Sequence, residues 1–439
     1  MTDEGSSRTV VAAAPPGEGS PSARGRGRRA VLVTLLVLAA VASLVAYAQQ
    51  QKLRRLWFVM TLFSDHEHVA AFREMDRYFP VHWLRRGGAT WEFARRPGSL
   101  PETYPWQGET RRVAQFLEDT DTTGLVVVQD DAIVFEDYWR GNTAETRWIS
   151  WSVGKSFVSA LMGIAIAEGH IGSVAEPVTR YVPELRGSGY DGVRIKDVLQ
   201  MSSGVAWNED YSSPGSDINR FGRTWALGKP FDAFVGTLRR ERAPGTFNRY
   251  VSMDTQVLGM VLTRATGKTL SAYLEARIWQ RIGAEADAYW ITDDAGMEFA
   301  AGGLNVTARD YARFGRLYLN GGNWNGEQIV PAPWVHDSVT PDASHLMPGD
   351  NPLSDYPMGY GYQWWIPTDP DGEFAAIGVF NQFIYLYPRE RLIIVKTSAN
   401  SSYGTTHDES SYREFEHIEV FRAIAAHLRA AETATRLSH

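Results

Sequence analysis

The sequence lacks cysteine altogether over its 439 residues. Disulfide bonds, cysteine-ligated zinc, iron–sulfur clusters and a thiol nucleophile are therefore excluded. A basic stripe is also missing and the formal net charge is -7, so nothing indicates a nucleic-acid partner. No His-Glu-x-x-His spacing occurs, and the contiguous acidic and histidine residues at 65–68 point in different directions, which favours a solvated loop over a metal site. We expect neither a metal nor another cofactor.

Long apolar runs are scarce as well, with one exception near the N-terminus. Residues 30–48 are nineteen residues without a charge, about the length of a bilayer-spanning helix. Residues 1–29 are rich in Gly, Ser, Pro and Ala and end in an arginine cluster, which predicts a disordered tail and favours a cytoplasmic N-terminus. We therefore expect a single-pass transmembrane signal anchor over 30–48 in the plasma (inner) membrane, with the remaining chain periplasmic or otherwise extracytoplasmic.

Other N-terminal outcomes stay open at this stage. Basic residues on the far side of the apolar run, Lys52, Arg54 and Arg55, weaken the charge asymmetry. The tripeptide Ala46-Tyr47-Ala48 has the small-x-small form of a cleavage site, and Arg28-Arg29 resembles a twin-arginine signal. A cleaved signal peptide is therefore the alternative to the anchor.

Beyond the apolar run the pattern divides the chain into an arm and a domain. Residues 49–110 mix amphipathic, aromatic and basic pieces, which predicts a juxtamembrane arm. The domain, 111–432, has strand patterns at both ends and mostly helical patterns between. This predicts an α+β fold in which one antiparallel sheet is flanked by helices and joined to an all-helical subdomain. The expected elements are a helix at 111–118, a hairpin of 124–128 and 132–139, strands over 374–387 and 392–398, and a helix over about 412–431.

A serine and a lysine stand together at the start of an apolar helical run. Ser152 and Lys155 are spaced i, i+3 just before the run 157–167, which places both side chains on one helical face. A serine hydroxyl needs a base to become a nucleophile, and a buried lysine supplies one when its amine is neutral. Backbone N–H groups at the helix N-terminus suit a developing oxyanion. By itself the same spacing also fits an N-cap serine followed by a solvated lysine.

A second motif follows about a hundred residues later. Pro244-Gly245 leads to Tyr250 and Ser252 at a loop-to-helix junction. A tyrosine placed there can direct its phenolic oxygen into a cleft and move a proton between the serine and the leaving group. The alternative is a tyrosine packed under a loop with its hydroxyl hydrogen-bonded.

In this order the motifs resemble the serine beta-lactamase and penicillin-binding-protein-like hydrolases. The branch that they resemble contains class C beta-lactamases, DD-peptidases, esterases and 6-aminohexanoate-oligomer hydrolases. Supporting stretches lie at 195–204, 301–310 and 359–365. The resemblance covers about 110–430 and implies a beta-lactamase/transpeptidase-like fold. Class A beta-lactamases are disfavoured because Ser-Asp-Asn and Glu-x-x-Leu-Asn are missing, and α/β-hydrolases because Gly-x-Ser-x-Gly is missing.

The resemblance implies a role for each residue that matches a motif. Ser152 is the acylated nucleophile, Lys155 its base partner and Tyr250 the general acid/base. The third family motif falls on Ala376-Ile377-Gly378-Val379. There Gly378 keeps the strand close to the substrate, and the Val379 N–H completes the oxyanion hole with that of Ser152.

Two further residues are implied substrate contacts, and several positions depart from the family pattern. Tyr211, at the end of Trp207-Asn208-Glu209-Asp210-Tyr211, and Ser252 are the implied contacts. The alternative for Tyr211 is a surface aromatic on a mobile loop. Ala376 replaces the cation that a penicillin-recognising enzyme would use, and Lys396 is a poor substitute because it ends the following strand. Asn381 stands where relatives often carry Gly, which bears on the local strand path. Glu209 and Asp210 are adjacent, so their side chains diverge and we expect both to be solvated.

We therefore expect a membrane-anchored serine hydrolase that cleaves a small-molecule or peptide-like amide or ester through a Ser152 acyl-enzyme. One alternative is a beta-lactamase or DD-carboxypeptidase acting on beta-lactams or peptidoglycan peptides, which the missing third-motif cation disfavours. The other is a non-catalytic penicillin-binding-type receptor, against which the presence of all three reactive side chains argues.

Overall fold

The structure is a computed structural model that describes residues 23–62, 68–406 and 408–437. The chain divides into two compact units at Arg54. The N-terminal unit contains most of one long helix, and the second unit contains the remaining elements. Residues 1–22 of the tail predicted at 1–29 lie outside the described residues. Asp65, His66 and Glu67 of the predicted solvated loop lie outside them as well.

The described residues form the following elements. The helices are α1 (Ala23–Thr61), α2 (His68–Arg73), α3 (Val113–Asp119), α4 (Gly154–Ala167), α5 (Ile195–Leu199), α6 (Asp217–Ala226), α7 (Phe231–Val235), α8 (Ser252–Thr266), α9 (Leu270–Leu274), α10 (Ala308–Leu319), α11 (Ala332–Ser338), α12 (Glu409–Tyr412) and α13 (Glu414–Leu437). The strands are β1 (Val81–Leu84), β2 (Ala94–Arg95), β3 (Thr103–Trp106), β4 (Glu109–Arg112), β5 (Thr122–Gln129), β6 (Ala132–Tyr138), β7 (Arg147–Ile149), β8 (Ala288–Ile291), β9 (Leu304–Thr307), β10 (Asn323–Trp324), β11 (Glu327–Gln328), β12 (Gly359–Tyr360), β13 (Trp365–Ile366), β14 (Phe374–Gly378), β15 (Gln382–Tyr387) and β16 (Leu392–Ser398).

Helix α1 contains the candidate membrane span. The stretch Arg28–Thr61 includes a window with a mean hydropathy of 2.6, and none of that window is buried. It is the one helix among the described residues that is long and apolar enough to cross a membrane, and a signal sequence would have the same properties. The predicted apolar helix is therefore present, and its length and composition fit either an anchor or a signal sequence.

The main sheet is the predicted antiparallel sheet built from distant parts of the chain. Its strand order is β12-β13-β14-β15-β16-β5-β6-β2. Neighbouring strands pair antiparallel, except that β2 runs parallel to β6. At its centre the C-terminal β16 pairs with the N-terminal β5, where Ile394 lies opposite Val127. The predicted hairpin of β5 and β6 is confirmed.

Both faces of this sheet are covered, which explains why β5 is apolar at successive positions. Val126 and Val128 belong to one core cluster, with α4 and α10, whereas Leu125 and Val127 belong to a second cluster, with α3 and α13. Side chains alternate between the faces of a strand, so a strand with two buried faces needs apolar residues at every position. Helix α10 packs directly on β15 and β16, and its Phe314 stacks on Phe157 of α4, with the centroids 3.6 Å apart.

The strand predicted over 374–387 is two strands, which corrects the sequence prediction. β14 ends at Gly378, β15 begins at Gln382, and Phe380 and Asn381 between them have φ of 61° and 65°. Asparagine adopts this left-handed conformation more readily than most residues. Its side-chain amide donates to the Tyr412 carbonyl at 2.7 Å and its oxygen accepts from Asn400 at 2.7 Å. Asn381 thus both adopts the turn conformation and holds it through its side chain.

A second sheet, of order β1-β8-β9-β7, lies beside the helices. Its edge strand β1 comes from the segment predicted as an arm and pairs antiparallel with β8. Between the sheets α4 packs against α8. That contact brings together two motifs that are about a hundred residues apart in the sequence.

Candidate active site

Ser152 lies on a single 3-10 turn, Trp151–Val153, that leads directly into α4. Trp151 has φ of 43°, a left-handed conformation that a bulky residue rarely adopts. Its ring packs edge-on against Phe72, with the centroids 5.4 Å apart, and against Trp225 at 6.5 Å. Strain of this kind persists only where the surrounding structure enforces it, and it clusters at functional sites.

Lys155 is almost fully buried behind the serine. Its Nζ lies 2.9 Å from Ser152 Oγ and donates to the Ala301 carbonyl at 2.6 Å and to Ser252 Oγ at 3.4 Å. Burial lowers the pKa of the amine to about 7, and the smaller effect of the Glu209 charge is to raise it. A large fraction of this lysine is therefore neutral near pH 7, and a neutral amine can accept the Ser152 proton.

Tyr250 joins this pair from the loop before α8. Its ring stacks on Trp365, with centroids 5.3 Å apart, and Lys155 Nζ lies 5.2 Å from the ring centroid. Burial, and then the nearby Glu209 charge, raise the pKa of the phenol well above 10, whereas hydrogen bonding to Ser152 and Ser252 lowers it. The phenol is therefore protonated at neutral pH, the state required of a general acid.

Gly378 brings the end of β14 against the nucleophile turn. A Cβ at this position would lie 2.8 Å from the Ser150 carbonyl oxygen and 3.1 Å from the Ser152 backbone nitrogen. Any other residue would force the strand and the turn apart, so the close approach depends on glycine. Val379 follows directly and lines the same crevice as Ser152. Ser152 and Val379 thus line one crevice, and the role of their backbone N–H groups as an oxyanion hole stays a prediction.

Glu209 belongs to the site, and the expectation that it is solvated is wrong. Its carboxylate accepts hydrogen bonds from Tyr211 Oη at 2.5 Å, from Ser252 Oγ at 2.7 Å and from the Ser252 backbone N–H at 3.3 Å. The Trp207 indole N–H is a further donor. Aromatic donors two residues before and two residues after the glutamate were the signal in the sequence that could have revealed it.

Tyr211 and Ser252, the predicted substrate contacts, both lie beside Glu209, and their contact with a substrate stays a prediction. Tyr211 lines the crevice beside Tyr250, and burial raises the pKa of its phenol well above 10. Ser252 donates to Glu209 and accepts from Lys155, so its hydroxyl connects a carboxylate to the buried amine. Asp210 bends back, and its carboxylate accepts from the Ser212 N–H at 2.9 Å.

These residues surround an open crevice of about 590 Å³, which we call the main crevice. Its aromatic lining is Trp207, Tyr211, Tyr250, Tyr356, Trp365, Tyr403, Tyr412 and Phe415. Its carboxylates are Glu209, Asp210, Asp355, Asp408, Glu409 and Glu414. Among the described lining residues the one arginine is Arg249, which is committed to Asp355 at 2.7 Å and to Glu241 at 2.5 Å. The main crevice is therefore aromatic and acidic.

The third motif carries no cation. Ala376 is buried in the core, and Ile377 and Gly378 of the same strand line the main crevice. Lys396 is buried in β16, where its amine donates to Ser398 Oγ, and it is not among the described residues that line the crevice. Lys396 therefore does not replace the missing cation. Within the described ranges no group of three or more His, Asp or Glu side chains is arranged to hold a metal.

The sequence matches the Beta-lactamase family model over residues 110–417. It is 36% identical over 301 residues to a 6-aminohexanoate-dimer hydrolase of Paenarthrobacter ureafaciens, a match that covers 67% of this chain and 76% of the relative. A shorter match, 26% identical over 140 residues, is to a beta-lactamase of Escherichia coli K12 and covers 31% of this chain and 33% of that protein.

Solved structures agree with these matches. A Bacillus anthracis protein provisionally described as a 6-aminohexanoate-dimer hydrolase superposes with a TM-score of 0.74 at 25% identity, covering 84% of this chain and 96% of that one. A class C beta-lactamase superposes with a TM-score of 0.52 at 17% identity, covering 72% and 93%, which supports the fold alone. The predicted beta-lactamase/transpeptidase-like fold is confirmed.

We predict that Gly378→Ala lowers kcat by about 10²- to 10³-fold, the usual cost of losing one oxyanion donor. The added Cβ, 2.8 Å from the Ser150 carbonyl, must displace β14 from Ser152. Gly98→Ala is the matched control, because its Cβ would meet the Val134 carbonyl at an ordinary 3.6 Å. Steady-state hydrolysis of a p-nitrophenyl ester measures both variants, and a wild-type kcat in Gly378→Ala would contradict the prediction.

We predict a second effect on the pH dependence of kcat/KM. Activity falls as the pH drops through about 7, where Lys155 becomes protonated. Because the Glu209 charge raises the pKa of Lys155, Glu209→Gln moves this acidic limb to lower pH. Asp210→Asn, in the same loop, leaves the limb in place because its carboxylate is turned to Ser212. If the acidic limb of Glu209→Gln stays at the wild-type pH or moves to higher pH, the Glu209 charge does not raise the pKa of Lys155.

Proposed function

The chain belongs to the beta-lactamase family of serine hydrolases, and from that premise we propose that it hydrolyses an amide or ester through an acyl-enzyme on Ser152. The observation that carries the proposal is the environment of Lys155. An amine with a pKa near 7, 2.9 Å from a serine hydroxyl, has the protonation state and the reach of a general base. A solvated lysine after an N-cap serine would be protonated near pH 7 and would point away from the serine hydroxyl.

Acylation uses all three side chains, and Lys155 acts first as a proton acceptor and then as a proton donor. Neutral Lys155 takes the proton of Ser152 as Oγ attacks the carbonyl carbon, and the backbone N–H groups of Ser152 and Val379 stabilise the oxyanion. Tyr250 gives its proton to the leaving nitrogen or oxygen, and the protonated lysine then restores the phenol. In deacylation a water molecule attacks the carbonyl carbon of the Ser152 ester. Lys155 and Tyr250 take a proton from the water and pass it to Ser152 Oγ, so the acid is released and the free hydroxyl returns.

The main crevice favours an amide that is neutral or positively charged over an anionic beta-lactam. Six acidic side chains line it, of which Glu409 is mostly protonated at pH 7, because burial raises its pKa to about 8, and burial also raises the pKa of Glu414. The arginine of the crevice is already paired with two of the chain's acidic residues. A substrate carboxylate would therefore meet repulsion and would find no cation at Ala376. An amide substrate also agrees with the name of the Paenarthrobacter relative.

The placement in the cell is part of the proposal. The apolar stretch of α1 anchors the chain in a membrane, and the arginine cluster before it favours a cytoplasmic N-terminus. The catalytic domain, 111–432, then lies on the extracytoplasmic side and meets substrates from outside the cytoplasm.

A fluorophosphonate probe tests the nucleophile. The full chain, purified in detergent, is expected to become labelled at Ser152 and to hydrolyse a p-nitrophenyl ester with multiple turnovers. Ser152→Ala removes the label and lowers kcat by at least about 10³-fold. Ser159→Ala, which changes a buried serine on α4, keeps both. Equal labelling of Ser152→Ala would refute the assignment, and a single turnover without further hydrolysis would indicate a receptor.

Comparison of an amide with an activated ester tests Tyr250. A p-nitrophenolate leaves without a proton, whereas an amine does not, so Tyr250→Phe is expected to reduce anilide hydrolysis by about 10²-fold more than p-nitrophenyl ester hydrolysis. Tyr356→Phe, which removes another phenol of the main crevice, should change both rates by the same factor. Equal losses on both substrates in Tyr250→Phe would mean that the phenol does not protonate the leaving group.

A further inference from the structure

A small cavity of about 50 Å³ adjoins Ser152. We call it the side cavity. Ser152 and Lys155 line it at one end, and Phe221, Trp225 and Phe299 supply aromatic wall. Tyr250 lines the main crevice and is not among the described residues of the side cavity. The nucleophile therefore stands between an open acidic space and a narrow apolar one.

Part of the apolar wall comes from the last turn of α1 and the residue that follows it. Val59 and Leu62 line the side cavity, and both are buried. A Cβ at Gly222 would lie 2.9 Å from Val59 Cγ1, so the glycine lets this helix approach α6 closely. These two residues lie more than eighty positions before Ser152 in the sequence, outside the segment that matches the family model.

The turn is held in place by polar and aromatic contacts. Arg55 donates to Asp294 at 2.8 Å and to the Tyr78 carbonyl at 2.6 Å. The ring of Phe58 stacks on that of Tyr78, with the centroids 4.9 Å apart. A wall fixed by an ion pair and an aromatic stack is rigid enough to impose a shape on a ligand.

We propose that the side cavity is the acyl subsite and that Val59 and Leu62 set the length of the acyl chain it accepts. The inference rests on the proposed function, because it uses Tyr250 as the proton donor to the leaving group. A leaving group protonated by Tyr250 must lie in the main crevice, on the side that Tyr250 lines. The acyl chain on the other side of the carbonyl carbon then points to the side cavity.

The size and lining of the side cavity define the class of substrate. At about 50 Å³ it holds roughly four water-sized groups, the bulk of a short acyl chain. The polar lining groups already have partners: Ser252 and Tyr211 donate to Glu209, Lys155 donates to Ser252, and the Asn219 amide donates to backbone carbonyls. The rest of the lining is mostly aliphatic and aromatic, so a polar or charged chain gains little there. The preferred substrate therefore has a short, apolar acyl part, of about four carbons or fewer, and a larger neutral or cationic leaving group.

The experiment measures kcat/KM of the full chain in detergent for p-nitrophenyl acetate, butyrate, hexanoate and octanoate. In the wild type kcat/KM falls steeply beyond butyrate. Val59→Ala enlarges the cavity and is expected to raise the hexanoate-to-acetate ratio about 10-fold, the lower range for one methylene in an apolar pocket. Leu62→Ala acts in the same direction, and Val59→Ile, which adds a methyl group, lowers the ratio.

Met60→Ala is the matched control, because Met60 lies on the same turn and is 66% exposed. It should keep the wild-type ratio. Fluorophosphonate labelling of Ser152 shows which variants retain an intact site. If variants that label at the wild-type rate keep the wild-type ratio, or if the wild type hydrolyses octanoate as fast as acetate, the acyl-subsite inference fails. If the wild type neither labels nor hydrolyses any ester, the proposed function itself fails.

Discussion

The site depends on a lysine amine that is kept out of water beside a serine. Lowering its pKa from 10.5 to about 7 corresponds to roughly 5 kcal/mol against the charged form. Three oxygens nevertheless surround Nζ, those of Ser152, Ser252 and Ala301, so the charged form, when it occurs in the catalytic cycle, still finds hydrogen-bond acceptors. The amine can therefore hold and release a proton near neutral pH.

The charge of Glu209 opposes the effect of burial on the pKa of Lys155. Desolvation alone would drive the pKa of the amine lower, and the nearby carboxylate opposes that effect. The same charge raises the pKa of Tyr250, which keeps the phenol protonated. Burial therefore separates the two proton-transfer groups into a base and an acid, because it lowers the pKa of the amine and raises that of the phenol. Glu209, itself held by donors from Tyr211 and Ser252, raises both pKa values.

Local patterns in the sequence predicted the parts of the site that depend on spacing. The i, i+3 relation of Ser152 and Lys155, and the position of Tyr250 before a helix, follow from periodicity, while the family resemblance supplied Gly378. Glu209 escaped because its partners are set by tertiary structure: Ser252 is 43 residues away in the chain. The turn at Phe380 and Asn381 escaped because one asparagine without a neighbouring Gly or Pro is a weak turn signal inside an apolar run. Its left-handed backbone is held by contacts to Asn400 and Tyr412.

The contact between the end of α1 and the catalytic unit was not predicted for a different reason. Some apolar residues at this end are buried and others are exposed. Phe58, Val59 and Leu62 are buried, whereas Trp57 and Met60 are 70% and 66% exposed. A hydropathy pattern that is apolar on several faces indicates a membrane segment and conceals the face that packs on a domain. Cleavage after Ala48 would leave Arg55 and the buried face attached to the catalytic unit. The contacts of Arg55 with Asp294 and Tyr78 are therefore compatible with either an anchored or a processed chain, and it is these contacts, rather than the anchor itself, that the wall beside Ser152 requires.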